Sequence, residues 1–497
     1  MQSIMLLFLV TNVIAWLSST WHPQKQPCNR LTLHSVPGID ILSIHSQERY
    51  NYSFPHHPED NDKPIPNFCD ITITLTHPGD DDIVTVSTWL PLTNWNSRFQ
   101  ATGGGGLAAG YIGPAQVAAI TQGYAVSSTD GGLTLNNTID PQTGTWALRP
   151  DRSLNTALLK NYAHRSIHDM TVIGKALTQT FYGTPPKYSY WNGCSTGGRQ
   201  GYFAAALYPD LFDGILAGSP AINLPHLFSY LFWAPILMLN SITPPQCIFR
   251  AFQSAAIETC DPLDGATDGL ISTPTPPSAP STLPPSSTQQ SNGTANTTTN
   301  PTTGHTTITP FFPAIGWTKN FIFQDPSYDI STMNFTSFDT AALLSISRYN
   351  ELLGSDTHHL HAFHAAGGKL LSWHGLADDI IPYMGTVRYR ERIEAEFYDE
   401  GEGEVDVDDF YRLFLAPGVG HCGGGYGPGP IDPLGALVRW VEEDLPPERW
   451  VTRELCRFPL RLVYDGVGDM DDGGILSVRF LGRGFYKDIM RRRKSTE

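Results

Sequence analysis

Apolar and polar residues alternate over 71–75 and, less regularly, over 83–90, with His77-Pro78-Gly79-Asp80 between them. A period of two on either side of a turn sequence predicts an antiparallel hairpin. From about Tyr124 the texture changes. Short apolar runs at 124–127, 188–191, 215–217, 370–373 and 413–415 alternate with helical stretches such as 157–181 and 202–208. That alternation predicts a mostly parallel sheet with helices on both faces, an α/β architecture.

Between Ala221 and about His364 the core pattern is interrupted by a long segment with helices of its own. Inside it, residues 272–309 are almost wholly Pro, Ser, Thr, Asn, Gly and Gln. Such a tract carries too little apolar surface to fold and is expected as an exposed loop, open to O-glycosylation. The expected layout is a core in two parts, 20–225 and 366–497. A large inserted lid domain, 226–365, would lie over the carboxyl ends of the strands, where open α/β sheets bind ligands.

Gly193-Cys194-Ser195-Thr196-Gly197 has the Gly-x-Ser-x-Gly pattern of a nucleophile elbow, with the 188–191 run leading in and a helix leading out. The two glycines remove side chains where the turn brings backbones together. This points to the α/β-hydrolase fold, whose triad runs Ser, acid, His in chain order. Leu370 to Trp373 leads into His374-Gly375-Leu376-Ala377-Asp378-Asp379, and Leu413 to Leu415 leads into Gly418-Val419-Gly420-His421. Asp378 is the better acid candidate; Asp379 is the alternative, free to face solvent or cap the next turn. His374 rivals His421 but precedes the acid, against the expected order. One oxyanion donor is expected from the N–H of Thr196 and one from Gly103-Gly104-Gly105-Gly106, with Gly105 as the chosen residue. A phosphate cradle is the weaker reading of those glycines, because no Gly-Lys-Ser/Thr follows. Cys194 and Cys422 stand beside serine and histidine. If they pair, a covalent bond locks the two together.

The chain has 497 residues, 40% hydrophobic and 11% aromatic, enough for a large core with an inserted domain. A net charge of -16 argues against nucleic acid or an acidic membrane surface as partner. Residues 1–19 contain an apolar run followed by small residues, as in a signal peptide, which predicts secretion. Seven cysteines without a CxxC pair fit disulfides better than a thiolate-bound metal. Candidate glycosylation sites at Asn51, Asn136, Asn292, Asn296 and Asn334 fit the same address.

These residues together resemble the tannase and feruloyl esterase family. The resemblance rests on Trp95-Asn96-Ser97-Arg98-Phe99 with the glycine run after it, on residues 161–168, on Phe212-Asp213-Gly214, on the elbow through Gly201, and on Gly420-His421-Cys422. It covers roughly residues 68–465. It implies a Cys194–Cys422 disulfide, Asp378 as the acid, and a calcium-binding lid loop. The loop would be Cys260-Asp261-Pro262-Leu263-Asp264-Gly265-Ala266-Thr267-Asp268-Gly269-Leu270. Asp261, Asp264 and Asp268 would offer carboxylates, and Ala266 and Leu270 carbonyls, hard oxygen donors of the kind calcium takes.

The family's further cysteines after this loop are replaced here by the Pro/Ser/Thr tract. Cys28–Cys69 and Cys247–Cys260 are then the expected remaining pairs, leaving Cys456 single, and the basic end Arg491-Arg492-Arg493-Lys494 reads as a solvated tail. The expectation is a secreted serine carboxylesterase acting on esters of hydroxycinnamic or gallic acids, either small or attached to plant cell-wall polysaccharide. A lipase or peptidase of the same fold, or an inactive glycosylated binding protein, are the alternatives.

Overall fold

The computed structural model describes residues 26–54, 64–264, 267–272, 295–399, 405–450, 455–456, 460–464 and 476–480. The predicted signal segment, the basic tail and residues 273–294 of the biased tract lie outside them. The predicted hairpin forms from β2 (Phe68–Thr76) and β3 (Val84–Pro91), with β1 (Asp40–Arg49) added antiparallel outside β2. Next come β4 (Arg98–Thr102), β5 (Ala125–Thr129), β6 (Tyr188–Cys194) and β7 (Gly214–Gly218). After the inserted segment, with its own β8 (Ala295–Thr299) and β9 (Thr306–Pro310), the chain returns as β10 (Lys369–Gly375) and β11 (Tyr411–Ala416).

The nine core strands form one sheet in the order β1-β2-β3-β5-β4-β6-β7-β10-β11. From β5 to β11 neighbours run parallel; β1, β2 and β3 make an antiparallel margin. The parallel strands are apolar on both sides because both sides are covered. Tyr190, Leu216, Leu371 and Phe414 pack on one face with Val117 and Ile120 of helix Pro114–Thr121 and Leu437 and Trp440 of helix Pro433–Glu443. Trp191, Ile215, Ala217, Leu370 and Leu413 point the other way, toward Ile173, Tyr202 and Ile393 of helices Ser166–Tyr182, Thr196–Leu207 and Tyr383–Asp399.

The helix expected over 157–181 is interrupted by a π turn at Asn161–Arg165. The turn presents polar side chains to a buried network. His77 Nδ1 lies 2.7 Å from Asp82 and His77 Nε2 3.0 Å from Asp169, while Asn161 donates to Asp82 at 2.8 Å and Arg165 bonds Asp80 at 2.6 Å. The β2–β3 turn is thereby fastened to the helix behind it.

Among the described residues, the segment between β7 and β10 adds no strand to the main sheet. Helices Leu224–Leu239 and Phe335–Leu353 pack within one apolar cluster with Trp317 and Phe321, and the same cluster takes in Leu107, Trp146 and Tyr162 from the core. Two expectations for this segment need correction. The 295–309 part of the biased tract folds: β8 and β9 pair antiparallel with Ala295 buried, since β-branched threonines suit a strand even where little apolar area is available. Cys247 and Cys260 are free thiols. They sit near opposite ends of helix Gln246–Cys260, and 13 residues at about 1.5 Å each put them roughly 20 Å apart, far beyond a disulfide's reach. Cys28 and Cys69 do pair, joining the N-terminal segment to β2. Cys456 lies in a two-residue strand.

Candidate active site

Ser195 occupies the sharp turn from β6 into helix Thr196–Leu207, with φ 63° and ψ -122°. A non-glycine residue at such angles is strained and is held by its surroundings. Here the Ser195 N–H donates to the Gly218 carbonyl at 3.0 Å, and its own carbonyl accepts from Arg199 and Ala221 at 3.0 Å. A Cβ on Gly193 would come within 2.6 Å of the Gly197 backbone, so the elbow closes only with glycine there.

Asp378 follows β10, and His421 lies in the turn after β11. His421 Nδ1 is 2.9 Å from Asp378 Oδ2. The other carboxylate oxygen accepts the N–H groups of Ile380 and Ile381 at 3.0 and 2.8 Å. The acid and histidine loops are stitched together by the Ala377 N–H on the Val419 carbonyl at 3.0 Å. Gly375 permits that approach: a Cβ there would meet the Val419 oxygen at 2.2 Å. Burial alone would raise the Asp378 carboxyl, but hydrogen bonds from His374 and His421, and their charge, outweigh it and hold the group below the ordinary carboxylate range. Asp379 makes no such bond among those described, and burial pushes its carboxyl up.

His374, the rival histidine, turns out to be a partner of the acid. Fully buried, it places Nε2 3.2 Å from Asp378 Oδ2 and 3.0 Å from the Ile381 carbonyl, and Nδ1 2.8 Å from the Thr386 hydroxyl. The sequence carried its one signal, a histidine four residues before the acid, but nothing in it revealed that both histidines share one carboxylate.

Cys194 and Cys422 are disulfide-bonded, with Cα atoms 5.9 Å apart. Ser195 and His421 line one cavity of ≈ 240 Å³ with Thr196, Gly105 and Gly106. Its wall is apolar, built from Leu224, Leu227, Phe228 and Leu231 on one helix together with Phe311, Phe312, Ile380 and Ile381. These wall residues were not singled out from sequence, because apolar helix positions look alike whether they face a core or a pocket.

The glycine loop is held from several sides. Gly103 and Gly104 donate their N–H groups to the Asn192 carbonyl and Gln200 Oε1. The Gly104 carbonyl accepts from Gly197 N–H at 3.0 Å, and the Gly106 carbonyl accepts from the hydroxyls of Tyr162 and Thr196, both at 2.7 Å. Since C=O and N–H of a trans peptide point opposite ways, the Gly105 N–H is aimed away from Gly197.

In the candidate calcium loop, buried Asp261 accepts the N–H of Asp268 at 3.1 Å on one oxygen and that of Gly269 at 3.0 Å on the other, while Asp268 accepts from Leu270 N–H at 2.9 Å. The loop therefore wraps around a carboxylate, and the donor set is all oxygen, as a hard cation requires. The Asp264 side chain and Ala266 lie outside the described residues.

The sheet order, the strained serine between strand and helix, and the Asp–His pair on the loops after β10 and β11 define an α/β-hydrolase. The chain belongs to the tannase and feruloyl esterase family, whose description matches residues 69–282 and 277–474, and it is a carboxylic ester hydrolase of that type. A probable feruloyl esterase of Arthroderma benhamiae is 38% identical over 89% of this chain and 92% of its own. Feruloyl esterase C of Talaromyces stipitatus is 31% identical over 83% and 86%. The crystal structure of feruloyl esterase B from Aspergillus oryzae covers 90% of this chain and 98% of its own, with 25% identity and TM-score 0.69. The tannin acyl hydrolase of Aspergillus niger shares the fold at 23% identity, covering 91% and 93% with TM-score 0.74. Among the described residues no helix is long and apolar enough to cross a membrane.

Proposed function

We propose that the protein hydrolyses esters of aromatic acids, feruloyl or galloyl, through a Ser195–His421–Asp378 triad. The observation that carries this reading is the meeting, in one apolar-walled cavity, of an elbow serine with a histidine held by a buried carboxylate. Ser195 Oγ attacks the ester carbonyl carbon as His421 Nε2 takes its proton. Asp378 at Nδ1 fixes the tautomer and balances the imidazolium charge. The tetrahedral oxyanion is met by the N–H groups of Thr196, which as the first helical residue has no intrahelical acceptor, and of Gly105. Collapse expels the alcohol with the proton from His421, and water activated by the same histidine releases the acid and restores Ser195.

Phe228, Phe311 and Phe312 offer aromatic and apolar surface to a flat acyl group, in keeping with the feruloyl and tannin esters named for the relatives. Cell-wall polysaccharide esters or small esters are the substrates this reading supplies. A structural calcium ion would take Asp261, Asp264 and Asp268 with the Ala266 and Leu270 carbonyls and would brace the loop, remote in sequence from the triad. Secretion fits the Cys28–Cys69 and Cys194–Cys422 bonds and the exposed Asn51, Asn136, Asn296 and Asn334.

A panel of methyl ferulate, methyl gallate, a long-chain palmitate ester and a peptide substrate tests the reading. Turnover of one or both aromatic esters, with little of the others, is expected; preference for the palmitate or the peptide would refute it.

A further inference from the structure

Four histidines fall within seven residues just before β10: His358, His359, His361 and His364. Three of them turn toward one carboxylate on a different element. Glu396, near the end of helix Tyr383–Asp399, places Oε1 2.5 Å from His359 Nδ1 and 3.5 Å from His361 Nε2, and Oε2 3.7 Å from His358 Nε2. The fourth, His364, packs its ring against Phe397 and Phe410 instead. One ligand atom from each of His358, His359 and Glu396 lies within 4.8 Å of the others.

One imidazolium suffices to neutralise a carboxylate. The remaining rings each carry a nitrogen lone pair beside the same anion. What complements that arrangement is a cation. A tetrahedral ion with bonds of about 2.0–2.2 Å sets neighbouring ligands about 3.3–3.5 Å apart. The 3.7 Å separation of His358 and Glu396 is close to that spacing, and an ion would replace the His359–Glu396 hydrogen bond by parting those two atoms less than about 1 Å. Imidazole with a single carboxylate suits zinc-type ions, whereas calcium takes six to eight oxygens. His361 is oriented by stacking on Phe397 at 4.0 Å, and the Glu396 side chain is only 9% exposed, while His359 at 71% leaves a path from solvent.

We propose that His358, His359 and Glu396 bind a zinc-type divalent cation. The ion would pin the segment before β10 to helix Tyr383–Asp399, which also carries Thr386, the hydroxyl on His374.

The test is calorimetric titration of the tag-free, chelator-stripped full chain with zinc chloride at pH 7.5, paired with melting curves. Wild type should bind one zinc here and melt higher with it. His359→Ala and Glu396→Gln should each weaken that binding by about 10–100-fold and lose the melting shift, while His305→Ala, on the exposed turn between β8 and β9, should behave as wild type. Unchanged zinc affinity in the two variants, or no saturable binding in wild type, would overturn the assignment. Should Glu396→Gln fail to fold, His359→Ala, whose side chain is largely exposed, decides the matter alone.

Discussion

Cys194 and Cys422 are bonded across 228 residues of sequence, and the residues beside them, Ser195 and His421, line the same cavity. Cys422 Sγ lies 3.7 Å from His421 Nε2, the nitrogen assigned to the serine's proton. The bond thus ties together the two loops whose relative placement the proposed proton transfer would need.

Replacing both cysteines, Cys194→Ala with Cys422→Ala, is expected to lower kcat/KM for methyl ferulate about 10–100-fold, since small misplacements of reacting groups are costly. A closed loop of this length also restricts the unfolded chain by about 5 kcal/mol on the chain-entropy estimate, so the melting temperature should fall while the far-UV spectrum is retained. Unaltered kcat/KM in the double variant would make the bond incidental to catalysis.

On the proposed triad, His374 would act as a positioning residue for Asp378, whose carboxylate it approaches at 3.2 Å. His374→Ala should lower kcat more than it changes KM. With that hydrogen bond gone, burial should lift the Asp378 carboxyl, and the acid limb of the pH–rate profile should move to higher pH. A variant with reduced kcat but an unmoved acid limb would leave His374 a packing residue only.

Burial lowers the His77 imidazole, but its bonds to Asp169 and Asp82 outweigh that and raise it to about 9. The folded value exceeds the unfolded one of about 6.5, so the contribution of this group is complete below pH 6.5 and is lost as pH rises through 9. Melting temperature measured across that window should fall in wild type and fall less in His77→Gln, which starts lower because two buried carboxylates lose their cation. Parallel slopes for the two proteins would contradict this.

Chelation should lower the melting temperature, and calcium should recover part of that loss through the Asp261 loop, separately from the rise zinc gives at Glu396, with Asp261→Asn abolishing the calcium recovery alone. Recovery undiminished in Asp261→Asn would place the ion elsewhere.

The site was legible in sequence where backbone constraint forces residue choice. Gly193 and Gly375 are fixed by approaches of 2.6 and 2.2 Å, and those same glycines announce Ser195 and Asp378. Strands β6, β7, β10 and β11 were legible because burial on both faces makes them short apolar runs. β1 was not: it forms the outer edge of the sheet and exposes much of both faces, so no period of two marks it. β8 and β9 were hidden by a threonine-rich composition that reads as disorder unless a packing surface is known. The shared use of Asp378 by His374 and His421, and the approach of Glu396 to three histidines 35 to 38 residues earlier, depend on tertiary placement that no local pattern encodes.

The most direct test of the account is mass-mapped labelling by an organophosphonate, followed alongside methyl ferulate hydrolysis. One equivalent of adduct on Ser195, accumulating in step with loss of turnover and absent from Ser195→Ala, is the predicted result. An adduct on another residue, or full turnover by protein already labelled at Ser195, would contradict it.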